Sequence, residues 1–194
     1  DQLLSYYFWA EDVGPDGRPR RSFGDMYFAE VRHFEEIFRQ GDDSSGDQPP
    51  EEQEEGQEKN AEQAEKLAEL QKQIINATWK VIRREVGETV SAPFLPDVAE
   101  IRKSQVDVLK QTLKLAEKLQ DAQSQSHVAD IQRHIDQVFT RLDEASEKAS
   151  PEPLRPALAA EQAAYQAMLK LRAREHEVKR GKPGKSLSKS ASNA

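Results

Sequence analysis

Residues 67–86, LAELQKQIINATWKVIRREV, decide how the rest of the chain is read. Leu67, Leu70, Ile74, Ile75, Val81 and Ile82 recur at spacings of three, four and seven, which lays them on one stripe of an α-helix, while Glu69, Lys72 and Lys80 fall largely elsewhere. Trp79 stands beside that stripe. Such a helix needs partners, so Leu67, Leu70, Ile74, Ile75, Trp79 and Ile82 form the candidate core or helix-contact face. Large apolar side chains at helical spacing mostly pack inside a fold, so core is the preferred reading and contact with another protein the alternative.

Downstream the same periodicity recurs. The first helix is expected over about 60–88, ended by Gly87 and by the prolines at 93 and 96, with Phe94 and Leu95 placed to plug the end of a helix pair. Asp97 is a candidate N-cap for a second helix over about 98–124, whose stripe of Val98, Ile101, Val108, Leu115 and Leu119 carries Gln105 and Thr112 in its seam. A third helix over about 126–149 has Val128, Ile131, Ile135, Val138, Leu142, Ala145 and Ala149 in alternating steps of three and four. Between the second and third lies only QSQS at 123–126, so one long helix or two can be drawn, and a short turn is preferred. The prolines at 151, 153 and 156 interrupt the pattern before a fourth helix over about 156–179 with Leu158, Tyr165, Met168, Leu169 and Leu171 on its apolar side.

Upstream the pattern changes. Residues 3–11 and 25–32 are rich in aromatic and β-favouring types, and the turn formers VGPDGRP at 13–19 lie between them, so an antiparallel hairpin with a long polar loop is expected. A two-stranded hairpin is marginal alone in water. Its many aromatics call for a covering sheet, which makes it the expected end of a β-sandwich-like domain whose other strands precede Asp1; a hairpin folded back onto the helices is the alternative. Phe34, Ile37 and Phe38 suit a short helical exit over 33–40. Residues 42–58, DDSSGDQPPEEQEEGQE, contain no aliphatic or aromatic side chain and read as a disordered acidic spacer, and the Gly-, Ser- and Lys-rich residues 180–194 read as a disordered tail. The expected organisation is therefore a hairpin remnant with a short helix at 1–40, a linker at 41–59, a helical module at 60–179 and the tail.

With 36% hydrophobic and 32% charged residues, the 194-residue chain has a thin supply of core, and its net charge of -7 gives no reason to expect nucleic-acid binding. The absence of cysteine excludes disulfides, thiolate metal sites and cysteine nucleophiles. No run approaches the roughly 20 apolar residues that span a bilayer, so a membrane enters only through an expected upstream segment.

No catalytic, cofactor-binding or metal site is assigned. His127, Asp130 and His134 share a helix face, but the histidines stand two turns apart rather than at the i, i+4 spacing of helical zinc motifs. Glu35 and Glu36, like Asp143 and Glu144, are adjacent and so point in different directions on a helix. There is no Gly-rich phosphate loop and no nucleophile elbow. Asn76-Ala77-Thr78 spells a glycosylation acceptor inside a helix and is read as chance, and the lysines of the tail as a solvated end.

Taken in order, LLSYYFWAEDVGPDG, GDMYFAEVRHFEEIFRQ and ELQKQIINATWKVIRRE resemble a family of large bacterial membrane-anchored proteins described as a domain of unknown function, over residues 3–85. The resemblance implies a β-rich extracytoplasmic segment, a Gln/Glu-rich linker and long helices, with no assigned catalytic residue. The expectation is a mainly α chain of three or four long amphipathic helices behind a β-hairpin, forming a non-catalytic, soluble part of a membrane-anchored protein outside the cytoplasm, with no cofactor and no nucleic acid. Its partners are another protein, or itself, met through helix surfaces. An accessory region of an enzyme encoded upstream and a cytosolic coiled-coil adaptor are the alternatives.

Overall fold

A computed structural model describes residues 2–31, 51–85 and 89–180. Strands β1 (Gln2–Val13) and β2 (Pro19–Val31) are followed by helices α1 (Glu51–Arg84), α2 (Phe94–Ala116), α3 (Ala122–Lys148) and α4 (Leu154–Arg180). The architecture is mainly helical, with a two-stranded antiparallel hairpin ahead of four helices.

Each helix runs antiparallel to its neighbours. Lys118 at the end of α2 reaches Gln63 early in α1, Arg102 in α2 grips Asp143 late in α3, and Ser124 at the start of α3 donates to Glu175 near the end of α4. On the remaining side α4 returns along α1, where Gln71 and Thr78 both reach Glu161. Short connections between long helices leave this up-down arrangement as the natural packing.

The core is built from the stripes. Ile75, Phe94, Ile131, Ile135, Val138, Leu142, Met168 and Leu171 have no exposed surface, and Leu158, Tyr165 and Leu169 of α4 are buried beside them. Gln105 and Thr112 are enclosed too: Gln105 exchanges hydrogen bonds with Gln71, at 2.9 and 3.3 Å, and Thr112 donates to the Val108 carbonyl. Each buried polar group on this seam thereby finds a partner, as burial demands.

Several boundaries differ from expectation. Helix α1 begins at Glu51, so residues 51–58 of the acidic stretch belong to a helix; Glu and Gln are good helix formers, and acids are favourable toward a helix N-terminus. Residues 42–50, the short helix expected over 33–40 and the tail beyond Arg180 lie outside the described residues. Helix α2 starts at Phe94 with Pro93 as its cap, and Asp97 sits in the first turn, paired with Arg84 at 2.6 Å. Phe94 plugs the helix pair, whereas Leu95 is exposed. The second and third helices are separate, but the turn falls at 117–121, ahead of QSQS, because the Asp121 side chain accepts from the Ser124 amide and starts α3 there.

Candidate interaction surface

The hairpin turns at residues 14–18, where Gly17 adopts a φ of 74°, open to glycine without strain. From there the register runs Trp9↔Phe23, then Tyr7↔Met26, Ser5↔Phe28 and Leu3↔Glu30. Two residues of β2, Gly24 and Asp25, thus lie opposite Phe8 alone, which is a β-bulge. A Cβ on Gly24 would stand 3.2 Å from the Phe8 carbonyl oxygen, so the bulge is tight against its partner strand.

Alternation gives the hairpin two unlike faces. The inner face docks on the helices. Met26 is buried, Phe28 lies edge-on to Tyr165 with centroids 5.5 Å apart, and Tyr7 and Phe23 pack on Trp79 at 4.6 and 6.4 Å. Arg172 of α4 pairs with Glu30 at 2.7 Å, and Gln162 donates to Ser5 Oγ at 3.2 Å. From α1, Trp79 Nε1 donates to the Gly24 carbonyl at 3.0 Å, and Arg83 reaches both the Phe23 carbonyl and Asp25. The hairpin therefore folds back onto the bundle, the arrangement held above as the alternative, because Trp79 of α1 and Tyr165 of α4 give its inner face a cover within this chain.

The outer face has no such cover among the described residues. Leu4, Tyr6, Phe8 and Tyr27 are 55%, 41%, 68% and 48% exposed. Tyr6 stacks on Tyr27 at 5.6 Å, and Phe8 stands edge-on to both rings at 5.8 and 6.0 Å, so the three aromatics form one patch. Scattered apolar residues on a surface are ordinary, but contiguous large ones mark contact sites. Among the described residues β1 pairs only with β2, leaving its other edge as a template for a further strand. The matching stretch of β2 differs, since α1 side chains take the carbonyls of Phe23 and Gly24.

Toward the turn, Arg21 covers Trp9 at 4.9 Å and pairs with Glu11, and Arg20 pairs with Asp12. A hollow of about 660 Å³ runs between α1 and α2. Its floor residues Ile74, Val81, Ile101 and Val108 are each already buried, so it offers a partner little apolar area.

The residues singled out in the sequence sit deeper than a contact face. Leu67, Ile74, Ile75, Trp79 and Ile82 are buried at 8% exposure or less, and Leu70 is half-buried at the edge of the α1–α2 hollow. Of these, Trp79 touches the hairpin, through the inner face. The histidines of α3 are apart from one another: Asp130 is held by Arg133 at 2.8 Å, and His134 Nδ1 lies 3.3 Å from Gln137 Oε1. Among the described residues no group of three or more His, Asp or Glu side chains is arranged to hold a metal ion, and no helix is long and apolar enough to cross a membrane. From sequence, Tyr6, Tyr7, Phe8 and Trp9 read as strand aromatics and not as a contact face, although the alternation Leu4, Tyr6, Phe8 was there to be read.

Fold and surface together define a four-helix bundle that carries a docked β-hairpin with an aromatic outer face. Against known protein families, curated proteins and solved structures, the chain finds no match.

Proposed function

We propose that this chain is a non-catalytic interaction module in which the bundle holds the hairpin and the hairpin's outer face receives a further β-segment. The observation that carries the reading is the exposed patch of Tyr6, Phe8 and Tyr27 on a sheet whose β1 edge has no partner strand among the described residues. A strand laid along β1 would satisfy its free backbone groups and extend the aromatic face, the chemistry of β-strand addition. The resemblance over residues 3–85 supports a setting in a larger, membrane-anchored bacterial protein outside the cytoplasm, where that strand comes from the adjoining β-region. In this arrangement partners meet the hairpin rather than the helix stripes, which are spent on the core.

The test replaces outer-face residues and leaves the inner face alone. Sedimentation velocity and binding of a hydrophobic dye are measured for the natural chain and for Phe8→Lys/Tyr27→Lys. Concentration-dependent association or dye binding that disappears in the double variant, with thermal unfolding unchanged, is the expected result. A natural chain that stays monomeric and binds no dye would rule the docking face out.

A further inference from the structure

Glu161 lies in the first third of α4 with no exposed surface; its Oε1 accepts from Thr78 Oγ at 2.9 Å, while Oε2 meets no hydrogen-bond partner among the described residues. Thr78 and Gln71 face it from α1, and Gln105 joins Gln71 from α2. The face that α3 turns to the core is apolar, with Ile131, Ile135 and Val138 fully buried. Among the described residues no charged group acts on its proton: burial pushes its pKa from the ordinary 4.5 up to about 8, and the Thr78 hydroxyl works the other way. Along α4 the nearest titratable groups are Tyr165, whose proton burial holds more tightly than usual, and Arg155, which is exposed; farther along, Arg172 is occupied by Glu30.

Position gives this acid a consequence. The residue after it, Gln162, reaches Ser5 and Met26, and the residue after Thr78 is Trp79, which reaches Gly24. Glu161 thus lies in the α1–α4 seam beneath the hairpin, between the two helices that hold it. A neutral carboxyl is tolerable there, whereas a carboxylate with one hydroxyl donor lacks the partners that a buried anion requires.

We propose that Glu161 is a protonation-controlled latch: as the neutral acid it keeps the α1–α4 seam closed, and loss of its proton to solvent opens the seam and unseats the hairpin. The latch is independent of what docks on the outer face.

The experiment uses the full chain with Trp9→Phe, which leaves Trp79 as the reporter of hairpin seating, since the chain has 2 tryptophans. Emission is followed from pH 6 to 9.5, and unfolding by urea is measured from pH 4.5 upward. Trp79 emission is expected to shift to the red with a midpoint near about 8, and to stay flat in Glu161→Gln. Thr78→Val should move the midpoint upward, because it removes a donor that favours the carboxylate. The folding constant of the Trp9→Phe chain should fall about tenfold per pH unit relative to Glu161→Gln between 4.5 and about 8. Flat emission in the Trp9→Phe chain, or a transition that survives in Glu161→Gln, overturns the latch. Should Glu161→Gln fail to fold, an unmoved midpoint in Thr78→Val overturns it equally.

Discussion

Trp79 Nε1 donates to the carbonyl oxygen of Gly24 across 3.0 Å, and this bond ties the helical bundle to the hairpin where β2 bulges. The indole also lies tilted against Tyr7 and edge-on to Phe23. A single side chain therefore serves as core for α1 and as the seat of the sheet.

Replacing Trp79 with Phe keeps an aromatic ring but removes the donor. Leaving the Gly24 carbonyl without that donor, in a partly buried place, should cost about 1–3 kcal/mol. Urea unfolding should show a lower midpoint, and amide exchange should quicken first across residues 2–31. Uniform loss across bundle and hairpin alike would mean that Trp79 matters as core alone.

The helices were legible because Leu, Ile and Val repeat at three and four residues along α1 to α4, a signal that belongs to each segment by itself. The seating of the hairpin was not. Trp79 meets the backbone oxygen of a residue 55 positions earlier, and a backbone acceptor leaves no mark on the sequence. Glu161 was hidden for another reason. It stands in AAEQAAYQA, where a charged residue reads as surface, yet Ala157, Ala160, Ala164 and Ala167 around it are all buried. Small side chains let α4 lie close against its neighbours, and that closeness removes the solvent path a glutamate needs. The flanking alanines were the available clue.

Arg172 and Glu30 form the other clamp on the hairpin, with side-chain exposures of only 15% and 16%. Removing the cation alone, as Arg172→Met, keeps the aliphatic stem but leaves Glu30 without its partner from α4. Such one-sided removal from a largely buried pair costs about 3–5 kcal/mol, with the lower end expected at this exposure. Chemical denaturation reads the loss. Arg172→Met combined with Glu30→Leu should recover part of it, since the carboxylate that lost Arg172 is then gone too.

The Gln71–Gln105 pair tests the interior in the same way. Each amide donates to the other, so Gln105→Leu leaves Gln71 short of its partner inside the bundle and should destabilise by about 1–3 kcal/mol. Gln71→Leu with Gln105→Leu should be milder than the two single losses added together. A double-mutant cycle by urea unfolding gives the coupling directly. Strict additivity would mean that the two amides do not depend on each other.

Asp121 supplies the acid-side counterpart to Glu161. Its carboxylate takes two hydrogen bonds from Arg174, at 2.9 and 3.0 Å, and accepts from the Ser124 amide that opens α3. The Arg174 guanidinium, first, and the Ser124 amide hold its carboxyl well below the usual carboxylate range. A depressed value in the folded state means that the native form binds fewer protons than the unfolded chain as pH falls. The contribution is therefore complete above the ordinary aspartate value of 3.8 and is lost on acidification below it. Asp121→Asn keeps a capping oxygen but not the charge. At pH 7 it should unfold at lower urea, by up to about 1 kcal/mol, and between pH 4 and 2 its midpoint should fall less steeply than that of the natural chain. Parallel acid profiles would show that the charge on Asp121 does not contribute to holding the start of α3 against α4.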